Sequence, residues 1–185
     1  MKFISIFITS LIVIISVLNI FDLPIEFRFE DPAYNYLFVM SLCVALPLSI
    51  FFTAFTLNKR ANTILAVAAS ILLSGPSFVV YFFASSDYES IREHGIDQSF
   101  EKINEVMVDD ARYRLYRTNG GATTSFGLVL RRETALIKGV NMVRIMFSKY
   151  DASEGVLRIL DEHRMELTIA PDMRGGKFEI IQLAI

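Results

Sequence analysis

The stretch Thr63-Ile-Leu-Ala-Val-Ala-Ala-Ser-Ile-Leu-Leu-Ser-Gly-Pro-Ser-Phe-Val-Val-Tyr-Phe-Phe-Ala84 contains no Asp, Glu, Lys or Arg. As a helix rising ~1.5 Å per residue, it is long enough to cross a hydrocarbon core ~30 Å thick. Two further stretches upstream, 36–57 and 3–21, have the same character. The three together hold 63 of the 185 residues, so all 38 charged side chains fall in the other 122 positions. A mean hydropathy of +0.45 understates this segregation. The pattern excludes a wholly soluble chain, a collagen-like chain, a coiled-coil rod and a disordered tail. It predicts three transmembrane helices, over about 3–21, 36–57 and 63–84, in a membrane region covering 1–84.

Each span has features that bear on packing. The first follows Met1-Lys2 and so resembles the start of a secretory signal. Its apolar run is longer than such signals use, and Leu18-Asn-Ile-Phe-Asp22 lacks the small residues of a cleavage site, so a retained anchor is expected. Pro47 lies in the second span and Gly75-Pro76 in the third. Both helices are expected to bend there, with Ser49, Ser74 and Ser77 placed to satisfy freed carbonyls. Ala66, Ser70 and Ser74 recur at four-residue spacing, the small-residue face that lets helices approach closely in lipid. Cys43, the single cysteine, reads as an apolar filler and rules out an intrachain disulfide. No span contains an ionisable group, which argues against a carrier working alone.

The short flanks set an expected orientation. Residues 22–35 hold four carboxylates against Arg28, whereas Lys59-Arg60 lies between the second and third spans and Lys2 precedes the first. The positive-inside bias then puts the N-terminus and the 58–62 turn in the cytoplasm and residues 85–185 outside. Phe21, Phe27, Phe29, Tyr34 and Tyr36 read as an interfacial aromatic belt around the acidic loop.

Residues 85–185 carry 14 basic and 16 acidic side chains, a balanced surface fit for a folded domain. A helical connector is expected to leave the membrane and break at Gly95. An amphipathic helix should follow over Asp97–Val108, with Phe100, Ile103 and Val106/Met107 at helical spacing and Asp97 as N-cap. From Ala111 the period becomes two. Strands are expected over 111–117, 122–132, 141–148, 154–160, 164–170 and 177–183, with a hairpin turn at Asn119-Gly120. The whole is an α+β domain with a mainly antiparallel sheet.

Three groups of residues carry chemical possibilities. Gly120 and Gly121 with Thr123, Thr124 and Ser125 offer backbone N–H groups and hydroxyls to an anion or carbohydrate. A turn and an exposed strand explain the same residues without a ligand, and that reading weighs more. Arg112, Arg114, Arg117, Arg131 and Arg132 would sit on neighbouring rungs of paired strands as a cationic strip. The strip is either a solvated face balanced by Asp109, Asp110 and Glu133 or a docking surface for an acidic partner or anionic headgroups. Asp161-Glu162-His163 contains one of only two histidines, the other being His94. Consecutive positions in a turn aim these side chains apart, so a metal or acid–base cluster is not expected there. No nucleophile elbow or phosphate loop occurs, and with a net charge of −2 there is no basic excess to suggest a nucleic-acid partner, so none is expected.

The string Asn119-Gly-Gly-Ala-Thr-Thr-Ser-Phe-Gly127 resembles a hairpin of small bacterial envelope proteins in which a Gly-Ala-Thr-Thr-Ser/Gly-Phe core joins two strands. The likeness covers about residues 111–131 and implies a bacterial envelope protein; it brings no catalytic residues. The expectation is therefore a multi-pass protein of the bacterial inner membrane, with the lipid bilayer and either a protein partner or a second copy as its contacts. Its C-terminal domain would be periplasmic and non-enzymatic, without cofactor or metal. The alternative expectation is a ligand-sensing domain that uses the 119–127 hairpin.

Overall fold

The computed structural model describes residues 2–20, 25–119, 125–161, 163–171 and 177–185. The described chain forms two compact units. One holds the three apolar helices; the other joins residues 25–32 to Glu93–Ile185.

The helices are α1 (Lys2–Ile20), α2 (Pro32–Ala54) and α3 (Arg60–His94). Each is long and apolar enough to span a membrane. Their apolar side chains point outward: Phe3, Phe7, Phe52, Leu65, Leu72 and Phe82 are all exposed. Such a surface is incompatible with water and matched to lipid. Polar contacts join the helices at close approaches. The Ser5 and Thr9 hydroxyls lie 2.8 and 2.7 Å from the Thr53 hydroxyl, and Thr9 also donates to the Ser49 carbonyl. Buried Ser70 donates to the Pro47 carbonyl at 2.8 Å, so the small-residue face of α3 meets α2 at its proline. Both Pro47 and Pro76 lie inside continuous helices. The hydroxyls of Ser49 and Ser74 donate to the Leu46 and Ser70 carbonyls.

At ~1.5 Å per residue the 35 residues of α3 extend to about 52 Å, well beyond a ~30 Å hydrocarbon core. Its last turns carry Asp87, Glu89, Arg92 and Glu93. The helix stops at Gly95, whose φ of 72° is the left-handed conformation common just past a helix end.

The second unit is built of antiparallel strands. One sheet has the order β1-β5-β4-β3-β2, from β1 (Ile25–Phe29), β2 (Phe100–Val108), β3 (Ala111–Thr118), β4 (Gly127–Ile137) and β5 (Val140–Tyr150). A smaller sheet has the order β6-β7-β8, from β6 (Gly155–Asp161), β7 (Arg164–Ile169) and β8 (Glu179–Ala184). Inward side chains of both sheets form one core of Tyr113, Leu115, Leu128, Leu130, Leu157, Met165, Leu167 and Ile169, with β6 packed against β2 and β3. All six strands expected after residue 110 are present. The second of them begins at Gly127, opposite Thr118, and the turn expected at Asn119-Gly120 extends outside the described residues.

Two elements depart from expectation. The helix expected over 97–108 is instead β2, and the described residues from 96 onward contain no helix. The cause is a β-bulge between Lys102 and Asn104. Ile103, Val106 and Val108 pack on the core, while Phe100 and Glu105 lie on the opposite face. A bulge inserts one residue into an alternating pattern, and the resulting three-residue step mimics helical spacing. Asp97 caps no helix; its Oδ1 accepts from the N–H groups of Ser99 and Phe100 and turns the chain into β2. The second departure is β1, which pairs with β5 from Ile25↔Arg144 to Phe29↔Val140. Residues expected to form an interfacial loop are an edge strand of the sheet. The helices α2 and α3 separate β1 from β2 in the chain.

Candidate functional site

The five-stranded sheet has a core face and an outer face, and strict alternation along β3 and β4 assigns the arginines between them. Arg112, Arg114 and Arg131 lie on the outer face. Tyr113 and Leu115 are buried on the core face, which Arg117 and Arg132 share at its margins.

The outer face is a paired network rather than a bare cationic strip. Arg114 reaches Glu133 at 2.7 Å and Glu105 at 3.0 Å. Glu133 is only 5% exposed, and its second oxygen accepts the Tyr116 hydroxyl at 2.7 Å. Burial and the neighbouring Glu133 carboxylate both raise the Tyr116 pKa, so this hydroxyl stays protonated and donates. Burial lowers the pKa of Arg114, but the attraction of Glu133, with Tyr116 and Glu105, outweighs it and leaves the net shift upward. Glu105 is held below the usual carboxylate range, first by a hydrogen bond from Lys102 and then by Arg114, against its own desolvation. Arg131, cross-strand partner of Arg114, lies 4.0 Å from the Phe100 ring centroid and 5.4 Å from that of Tyr116. These aromatic faces attract the guanidinium where burial and nearby Arg28 disfavour its charge. Arg112 pairs with Glu30 at 2.8 Å, joining the end of β1 to β3.

A cleft of about 380 Å³ opens where the two sheets diverge. Ile103, Val156, Ala170 and Phe178 make apolar walls, with Arg117, Ser153, Glu154 and Thr168 at the polar edge. Arg117 pairs with Glu101 and lies over the Phe126 ring at 5.4 Å. Arg117, near the end of β3, therefore bounds the cleft at its polar edge. Of the expected hairpin ligand set, Gly120, Gly121, Thr123 and Thr124 lie outside the described residues. Ser125 donates its backbone N–H to the Tyr150 hydroxyl at 3.1 Å.

The Asp161 carboxylate makes its contacts close by in the sequence, and the His163 carbonyl accepts from the Ile185 N–H at 3.0 Å. Asp161 accepts from the His163 backbone and pairs with Arg164 at 2.6 Å, and the Arg164 hydrogen bond is the main reason its pKa falls. Among the described residues no three His, Cys, Asp or Glu side chains are grouped as metal ligands. The sequence pattern does not point to Glu105, Tyr116, Phe100 and Glu30 as partners of the outer-face arginines. Tyr116 is accessible from its alternation with Arg112 and Arg114, whereas Phe100 and Glu105 are hidden by the bulge. Nothing in the local sequence marks Ile103, Val156 and Phe178 as sharing a cleft.

Protein-family models, curated proteins and solved structures were compared with the chain, and none matches.

Proposed function

We propose that this is a multi-pass bacterial inner-membrane protein whose β-rich unit, in the periplasm, binds a segment of a protein partner without catalysis. The carrying observation is the cleft between the sheets. Its exposed Phe178 and Val156 can take apolar side chains, and Arg117 at the rim can meet a carboxylate. An accessory or immunity-type envelope role fits a folded module tethered to a bilayer. The basic 58–62 turn and acidic 22–35 segment support the orientation, and pairing of β1 with β5 supports placing both flanking segments on one side. Alkaline phosphatase and green fluorescent protein fused at the C-terminus should be active and dark respectively; the reverse pattern refutes a periplasmic domain.

A photo-crosslinking residue at Val156 in the full chain tests the partner. A discrete adduct in cells, lost on Phe178→Ala with Arg117→Ala, is expected; a chain that never crosslinks counts against the proposal. The second reading is a small ligand in the same cleft, favoured by the guanidinium of Arg117 at its polar edge. In that case an added carboxylate compound, rather than a protein, would raise the melting temperature of the purified chain.

A further inference from the structure

The smaller sheet covers only part of the core face of the larger one. Its β6 strand lies against β2 and β3, and among the described residues the β1–β5 end of that face is exposed at Ile25, Phe27 and Met142. Three rungs are displayed there in register. Ile25, Arg144 and Arg132 form one, Phe27, Met142 and Thr134 the next, and Val140 and Ile137 sit beside the turn at Lys138-Gly139. Phe27 is 68% and Ile137 65% exposed, and Ile25 and Met142 are exposed with them. Arg132, Arg144 and Lys138 are exposed on the same margin, and none of the three makes an ion pair among the described residues. Arg132 and Arg144 are direct cross-strand partners, an arrangement of like charges that disfavours the sheet on its own. The carboxylates of the strand, Glu26 and Glu30, are paired with Arg28 and Arg112 instead. The patch is therefore apolar at its centre and cationic at its rim, with no carboxylate among its described residues.

The chain itself limits where this patch can be. Only residues 30 and 31 separate the end of β1 from Pro32, the first residue of α2, and only 21–24 separate α1 from β1. Links this short in the sequence tether β1 to both apolar helices. A surface so tethered, with aromatic and aliphatic side chains beside unpaired arginines, has the chemistry of the headgroup layer. We propose that the β1–β5 face docks on the bilayer surface, with Ile25, Phe27, Ile137 and Met142 entering the interface and Arg132 and Arg144 meeting anionic lipid phosphates. The inference rests on the reading that α1 and α2 cross the membrane.

The chain contains no tryptophan, so one introduced residue gives an unambiguous signal. Full-length F27W is reconstituted in phosphatidylcholine vesicles with or without phosphatidylglycerol, carrying lipids brominated near the headgroup. Y150W, at the other end of the β4–β5 ladder, serves as the comparison. The indole of F27W should emit at shorter wavelength and be quenched more than that of Y150W, with the greater effect in phosphatidylglycerol. Adding R132Q and R144Q should lower the docked-to-undocked ratio roughly thirtyfold, from the attraction of two cations to an anionic surface. Flotation of the same protein with vesicles reports the helices independently, so failure of the spans and failure of the docking are distinguishable. Equal quenching at both positions overturns the proposal, as does quenching indifferent to phosphatidylglycerol and to the two arginines. Inorganic phosphate reproducing the F27W emission shift without anionic lipid assigns the site to a free anion and overturns it. A shift that disappears on dilution of the protein assigns the face to a second copy and overturns it equally.

Discussion

Tyr113 and Tyr116 lie three residues apart on β3, face opposite sides of one sheet, and are buried with different consequences. The Tyr116 hydroxyl donates to Glu133, which also holds Arg114, so the three form one unit in which each polar atom answers another. The Tyr113 hydroxyl is buried in the core among the described residues without a hydrogen-bond partner. A buried polar group is costly when unanswered, and a buried ion pair is most costly when half of it is removed. Glu133→Ala should therefore destabilise the full-length protein in detergent by about 3 kcal/mol, leaving Arg114 with only Glu105. Tyr113→Phe should change stability by less than about 1 kcal/mol, or raise it. Denaturant unfolding of the two variants side by side checks the contrast.

At the scale of elements, the two sheets fit tightly where β6 begins. A Cβ added to Gly155 would lie 3.0 Å from Leu115 Cδ2 and 3.2 Å from Leu128 Cδ1, with the Thr168 carbonyl at 3.4 Å. Gly155→Ala should push β6 from the larger sheet and cost about 1–3 kcal/mol through overpacking. Leu115→Ala opens the same contact from the other side and should cost about 2–5 kcal/mol. In the double variant the two effects should partly cancel, a coupling that additive unfolding energies would disprove. These contacts also mark how far the sequence is legible. Alternation of apolar and polar residues identifies β3 to β8, because each has one face in the core. It fails for β2, where the bulge at 102–104 shifts the alternation by one residue. In Ile25-Glu-Phe-Arg-Phe29 the alternation is present but overshadowed by the spans on either side. The cleft is illegible for another reason: Ile103, Val156 and Phe178 meet only through sheet packing, which no local pattern encodes.

For the molecule as a whole, charge pairing makes stability depend on pH. Glu105 is held low by its hydrogen bond from Lys102 and by Arg114, and Glu30 by its hydrogen bond from and attraction to Arg112. A carboxylate with a depressed folded pKa contributes stability above its unfolded value, and that contribution is lost as pH falls through the folded value. Thermal stability of the reconstituted protein should therefore hold above the ordinary carboxylate value of 4.5 and decline progressively below it. Glu105→Gln should start lower and decline less over the same acid range. A flat profile in the parent protein would show that these pairs are not coupled to folding.

The position of β1 also sets a timetable for synthesis. Its five residues are made before α2, and the strand they pair with appears only after α2, α3 and three other strands. At ~5–20 residues per second, Ile25 waits roughly 6–24 s for Arg144. Until then the N-terminal strand has nothing to pair with, and until β1 arrives the outer edge of β5 is open to any other strand. Completion of the sheet would thus record insertion: if α2 and α3 span a membrane and only one of them inserts, β1 and β5 are left on opposite sides of it. Quality control could read that failure directly, as an unpaired β5 edge exposed to proteases.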